Sequence, residues 1–318
     1  MSRHGGWAMV GRRLLQAAPV LLLATFVVYA MLKLLPGDVA VTLAGDNASD
    51  ARIAEIRQIY GLDQPFLVQY GTWFWNALHG DLSRSLLSGE DVLVSIKRCF
   101  PNTLLIVALA LSLAVAIGVP LGILAATRPD GLVDRLVMAL ASLGVAVPNF
   151  WLAMILVSTF SLKWNLFPAT GAVAFTTSPL DAIHHAVLPA VAIAAGGIAE
   201  VARQLRGSLL DILSSQHVRT LHAKGLSPSV ILWKHGLKNV ATNLLTVTGL
   251  LANRMLAATV VVEAVFAIPG MGNLIVHAAI QRDFPVVQGV VLAMVVVVIL
   301  TNLLTDFLCT LVDPRIGR

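Results

Sequence analysis

Six long apolar runs leave this chain the fewest choices: Leu14 to Leu35, Thr103 to Ala126, Leu136 to Leu162, Ala186 to Leu205, Leu237 to Val262 and Val286 to Val312. A hydrocarbon core about 30 Å thick takes roughly 20 helical residues to cross, and each run reaches that length. Lipid offers no hydrogen-bond partners, so a spanning segment is either a helix or a strand of a closed barrel. Barrel strands would be segments of about 10 residues with alternating polarity, and these runs are continuous. Only 12% of residues are charged, against about 25% in a soluble domain. The expected fold is an all-α integral membrane protein of six transmembrane helices, forming one domain over residues 1–318.

Charge placement orients it. Between Arg203 and Lys238 stand Arg203, Arg206, Arg219, Lys224, Lys234 and Lys238 against Asp211 alone, a net +5, which marks a cytoplasmic loop. Residues 36–101 carry eight acids and five bases, a net −3, and are expected outside. Both termini then lie in the cytoplasm, in keeping with Arg3, Arg12 and Arg13 at one end and Arg315 and Arg318 at the other. The overall +5 is thus a topology signal, and no nucleic-acid partner is expected. The first run follows basic residues, as in a signal peptide, but continues without a cleavage site, so a retained helix is expected.

The outer segment keeps apolar spacing at Ile53, Ile56, Ile59 and Tyr60, with Asp50 placed to cap a helix. It also holds Phe66, Tyr70, Trp73, Phe74 and Trp75. A small helical extracytoplasmic segment over 36–101 is expected, its aromatics serving either as anchors at the headgroups or as a docking face for a receptor.

Motifs for covalent chemistry are missing. His222-Ala223-Lys224-Gly225-Leu226-Ser227 lacks the spacing of a phosphate-binding loop, so the chain itself binds no ATP. The adjacent His184 and His185 point about 100° apart on a helix and form no metal face. Cys99 and Cys309 are too few for a disulfide framework. The basic loop carries the strongest local pattern, covering residues 206–236. Ser215 can cap a helix from Gln216, Gly225 suits its left-handed end, and Ser227-Pro228 reads as the cap and first residue of another helix. Val218 and Leu221 make a short apolar stripe that such a helix cannot bury alone, so docking into a partner is expected.

The run His217-Val218-Arg219-Thr220-Leu221-His222-Ala223-Lys224-Gly225-Leu226-Ser227 resembles the EAA-type coupling loop of ABC importer permeases, in the form of the dipeptide, oligopeptide and nickel family. Leu221 and His222 stand where that form usually has Ala and Arg. The chain is similar to this family along nearly its whole length, at Leu35-Pro36-Gly37-Asp38, Gly61-Leu62-Asp63-Gln64-Pro65, His79-Gly80-Asp81-Leu82, Val147-Pro148-Asn149-Phe150-Trp151, Glu263 to Gly272, Arg282 to Gly289, and Asp313-Pro314-Arg315-Ile316. The long segment after the first helix resembles the B-type member of the permease pair.

The resemblance implies a type I importer permease of the bacterial plasma membrane, with no cofactor of its own. Its implied partners are a homologous second permease, two ATP-binding cassette subunits carrying ATP and Mg, an extracytoplasmic solute-binding protein and the bilayer. Val218, Arg219, Leu221, Ala223, Lys224, Gly225 and Leu226 would then couple to the ATPase. The implied motion is alternating access.

Three further features bear on the path. Pro269, Gly270 and Gly272 forbid a straight helix beyond Glu263, making either a chain reversal or a gate element. Small residues from Ala190 to Ala199 mark helix four as a subunit interface or a pathway wall, and Pro148 should kink helix three. Glu200 and Arg203 can pair along one helix. Arg254 has no partner in its own helix and is expected to face the path, where it would attract the carboxylate of a peptide and repel a bare nickel ion. A peptide importer is therefore expected ahead of a nickel importer. A secondary transporter would need coupling-ion sites or inverted repeats, and neither is visible.

Overall fold

The computed structural model describes residues 4–34, 40–41, 49–59 and 61–313. The Leu35 to Asp38 motif, Tyr60, Pro314 to Arg318, Arg3, and the side chain of Arg12 lie outside the described residues. Apolar runs have become long helices. In chain order these are α1 (His4–Leu34), α2 (Asp50–Ile59), α3 (Phe66–Leu78), α4 (Val92–Thr127), α5 (Leu132–Ala146), α6 (Asn149–Leu156, extended by a π-helical Val157–Lys163), α7 (Pro179–Leu213), α8 (Gln216–Ala223), α9 (Leu237–Val265, entered through Pro228–Val230 and a π-helical Ile231–Gly236), α10 (Met271–Ile280) and α11 (Phe284–Val312). Among the described residues, extended pairing is confined to an isolated bridge between Arg84 and Asp91.

Among the described residues, five helices are long and apolar enough to span, within α1, α4, α7, the stretch ending in α9, and α11; α5 and α6, bent by 95°, make a sixth when the pair is counted as one broken span. Pro148 explains the break. Its ring and missing N–H end α5 at Ala146 and push the preceding residue toward extended backbone, and Val147 sits at φ −81°, ψ 121°. The kink expected at Pro148 is a full break, leaving two helices at nearly a right angle.

Contacts divide the chain into two compact units. One comprises Pro101–Gly272 with the segment from Leu300, and the other Gly11–Phe100 with Asn273–Ile299. In the first, α7 is the centre, packed by α5, α6 and α9. Gly118 and Gly122 of α4 rest on α7: a Cβ on Gly118 would stand 2.9 Å from the Ile198 carbonyl oxygen, and one on Gly122 would stand 2.8 Å from that of Ala202. Gly144 of α5 likewise leans on the Ala195 carbonyl. The small-residue stripe of α7 is thus consumed inside this chain. Ala190, Ala192, Ala194, Gly197 and Ala199 are buried, which replaces the expected subunit interface or pathway wall with close intrachain packing.

In the second unit, α3 lies on α1. Phe26 and Tyr29 of α1 meet Phe66 and Tyr70 of α3 edge-on at 5.3–5.6 Å between centroids, and Trp73 is buried beside them. Trp73 is therefore core, while Phe66, Tyr70 and Phe74 are half-buried. Trp75 remains 64% exposed. Ser49, one residue earlier than expected, caps α2 by accepting from the Arg52 N–H at 3.4 Å. Asp283 is buried and accepts from Ser85 Oγ and from the Leu86 N–H, which ties the 83–89 loop to the turn before α11. Beyond that loop, the Arg98 guanidinium, with help from Ser95, holds the Glu90 carboxyl below the usual carboxylate range.

Candidate coupling loop and translocation path

The basic loop folds as its capping residues dictate. Ser215 Oγ accepts from the Val218 N–H, α8 runs two turns, and Gly225 follows at φ +80°. There the Gly225 N–H donates to the His222 carbonyl at 2.9 Å and the Leu226 N–H to that of Leu221 at 3.2 Å, closing the helix in the left-handed turn that glycine enters without strain. Ser227 Oγ then accepts from the Val230 N–H and Pro228 opens the next turn.

The apolar stripe does not wait for a partner. Val218 and Leu221 are buried with Ile231 inside this chain, packed by Ile212, Leu213 and Leu226. The loop therefore presents its other side: Arg219, His222, Ala223, Lys224 and Gly225 are exposed. A cleft of about 500 Å³ opens beside α8, lined by Thr127, Pro129, Leu213, Val218, His222 and Pro228 among others. His217 and His235 face one another edge-on at 6.0 Å. His184 and His185 each bond a backbone carbonyl, of Leu166 and Asp181.

Sequence reasoning missed the ion pair that braces this side of the bundle. Asp134 at the start of α5 is only 3% exposed, and it receives both Arg206 Nε and, at 2.5 Å, Arg206 Nη2. The Asp130 N–H also donates to it at 2.9 Å. A lone acid opening an apolar run was the available signal.

The turn after α9 is built around Glu263, which is completely buried. Thr103 Oγ1 of α4 donates to Glu263 Oε1 at 2.6 Å and accepts from the Met271 N–H at 2.8 Å. Asn102 Nδ2 donates to the Pro269 carbonyl at 2.9 Å. Gly270 lies against the Glu263 carboxyl and Gly272 against the Val260 backbone, so closely that a Cβ at either would overlap them. Pro269 and the two glycines thus serve a packed, hydrogen-bonded reversal. Glu263 points into it.

Arg254 is paired across helices. Its Nη2 donates to Glu200 Oε1 of α7, with Arg254 62% and Glu200 22% exposed. Glu200 was expected to join Arg203, three residues along; α9 lies close enough to supply the stronger, facing partner.

Comparison with known proteins agrees with this architecture. Residues 118–318 match the family described as binding-protein-dependent transport system inner membrane component, and residues 7–107 match its N-terminal counterpart. A Brucella abortus (strain 2308) protein named for a peptide transport system permease is 40% identical, over 97% of this chain and 98% of its own. The oligopeptide transport system permease protein AppB of Bacillus subtilis (strain 168) is 36% identical over 97% of this chain and 99% of that protein. The dipeptide transport system permease protein DppB of Escherichia coli (strain K12) is 34% identical, over 96% and 97%. In fold, the chain is similar to inward-facing structures of the MetNI methionine ABC transporter, at a TM-score of 0.57 and 20% identity over 70% of this chain and 96% of that one. This chain belongs to the binding-protein-dependent transport system inner membrane components, the multi-pass permease subunits of ABC importers.

Proposed function

We propose that this permease imports dipeptides or oligopeptides across a bacterial plasma membrane, with both termini in the cytoplasm. The observation that carries this reading is full-length similarity, at 34–36% identity, to relatives named for oligopeptide and dipeptide transport. In it, a second permease completes the path, a binding protein delivers substrate from outside, and two ATPase subunits hold ATP and Mg.

The chain would contribute a lever and a path. Arg219, His222, Ala223 and Lys224 form the face offered to an ATPase subunit, while Val218, Leu221, Gly225 and Leu226 hold that face in shape against the bundle. Because α8 is anchored to Ile212 and Leu213 near the end of α7, a push on the loop is delivered to the central helix of the unit. A small displacement can then bias inward-open against outward-open packings. Arg254 would border the path, and the Glu263, Pro269, Gly270 and Gly272 turn would hold α9 to the start of α4.

The test is uptake by proteoliposomes holding the permease pair and ATPases. ATP- and binding-protein-dependent uptake of a labelled dipeptide or pentapeptide supports the reading. Uptake of a nickel chelate and no peptide would replace it with nickel import.

A further inference from the structure

We propose that Glu200 and Arg254 form a dipolar contact for a zwitterionic substrate, the guanidinium taking a carboxylate and the Glu200 carboxylate taking an ammonium group as the substrate passes. This rests on the peptide-permease reading and names how that path would recognise its cargo.

The pair is open on one side. Arg254 is 62% exposed and Glu200 22%, both well inside spanning helices. A charged side chain turned to hydrocarbon is strongly unfavourable, so such groups face protein or a water-filled cavity. The open face of α9 carries Asn243, Thr246 and Arg254 alongside the apolar Leu250, Ala257 and Val261, and α5 opens Arg135 and Ser142 among its exposed leucines. It is the charged pair itself, more than the rest of the face, that turns the α7–α9 side away from hydrocarbon.

The second point is the bond itself. It joins one nitrogen to one oxygen, Arg254 Nη2 to Glu200 Oε1, so the guanidinium keeps other N–H groups and the carboxylate a second oxygen for an incoming ligand. A ligand with a single charge would take one partner and leave the other to water alone. A zwitterion satisfies both at once. A free peptide carries an ammonium and a carboxylate, and is the cargo chemistry that can open this pair without stranding either half.

The experiment uses the assembled transporter in proteoliposomes with its binding protein. Uptake of alanylalanine, its N-acetyl form and its C-terminal amide is compared in wild type, Glu200→Gln, Arg254→Gln and the exchanged Glu200→Arg/Arg254→Glu pair. The binding protein is the same throughout, so its own preference cancels when variant ratios are divided by wild-type ratios. Arg254→Gln should lower the free-to-amide ratio about tenfold, the size of one charged hydrogen bond, and leave the free-to-acetyl ratio alone. Glu200→Gln should do the reverse. The exchanged pair still offers both charges and should keep both preferences; should the single variants fail to assemble, as read by ATP hydrolysis, its loss of both would overturn the proposal. If the single variants assemble and slow all three peptides alike, or change none, the pair is a structural brace and the proposal falls while peptide import stands. If wild type moves none of the three, the peptide reading fails and takes the proposal with it.

Discussion

Replacing Thr103 with Val tests whether the turn after α9 is held as described, because the two side chains are nearly the same shape. The hydroxyl makes two buried contacts, donating to Glu263 at 2.6 Å and accepting from the Met271 N–H at 2.8 Å. Thr103 and Glu263 are both fully buried, so water cannot take over. Losing a hydrogen bond to a carboxyl group costs about 1–3 kcal/mol, and leaving the Met271 amide without an acceptor costs about 1–3 kcal/mol more. Thr103→Val should therefore destabilise the protein by about 2–6 kcal/mol. Thr103→Ser keeps the hydroxyl and removes one methyl, worth about 1 kcal/mol. Reversible denaturation in detergent micelles measures both. A Val variant no less stable than the Ser variant would refute the reasoning, since it would mean that the hydroxyl bridges nothing.

Gly225→Val should abolish coupled uptake while leaving the protein in the membrane, since a β-branched residue at φ +80° is strained by about 1–2 kcal/mol or more; nothing stands within 4 Å of its Cβ, so normal uptake would show that the turn tolerates another shape. Asp134→Ala strips Arg206 of its ion-pair partner in a site where Asp134 is 3% exposed, and should cost about 2–4 kcal/mol in the same denaturation assay; a neutral result would mean that the pair adds nothing. The Glu90 carboxyl is held below its ordinary range by Arg98 and Ser95, so its stabilising contribution is present above the unfolded pKa and is lost as pH falls through the folded one. Amides of residues 85–95 should accordingly exchange faster, once the buffer is taken below the ordinary glutamate range, than the intrinsic rate change accounts for, and Glu90→Gln should remove that difference.

Much of this was written in the chain, and what was not follows a pattern. Hydropathy located every span, because lipid imposes a length and forbids unpaired backbone. Ser215, Gly225 and Ser227-Pro228 announced the loop because caps and left-handed turns are decided within four residues. The misses concern what covers a face. Periodicity puts Val218 and Leu221 on one side of α8 but does not say that Ile212, Leu213 and Ile231 of the same chain fill it. Glu200 could reach Arg203 along its helix, yet α9 brings Arg254 from 54 positions away. Trp73 read as interfacial by composition and packs against Tyr29 of α1. Pro148 promised a kink, and its 95° size depends on how α6 packs on α7.

The central claim is that the exposed side of α8 is where an ATPase subunit meets this permease, and site-directed crosslinking tests it most directly. Cysteines placed one at a time at Arg219, Ala223 and Lys224, and at the buried Val218 as a control, are treated with a short bifunctional reagent in membranes holding the whole transporter. Crosslinks from the three exposed positions to an ATPase subunit, with none from position 218, are the predicted result. Capture of the binding protein from the exposed positions would place the loop on the opposite side of the membrane and contradict the account.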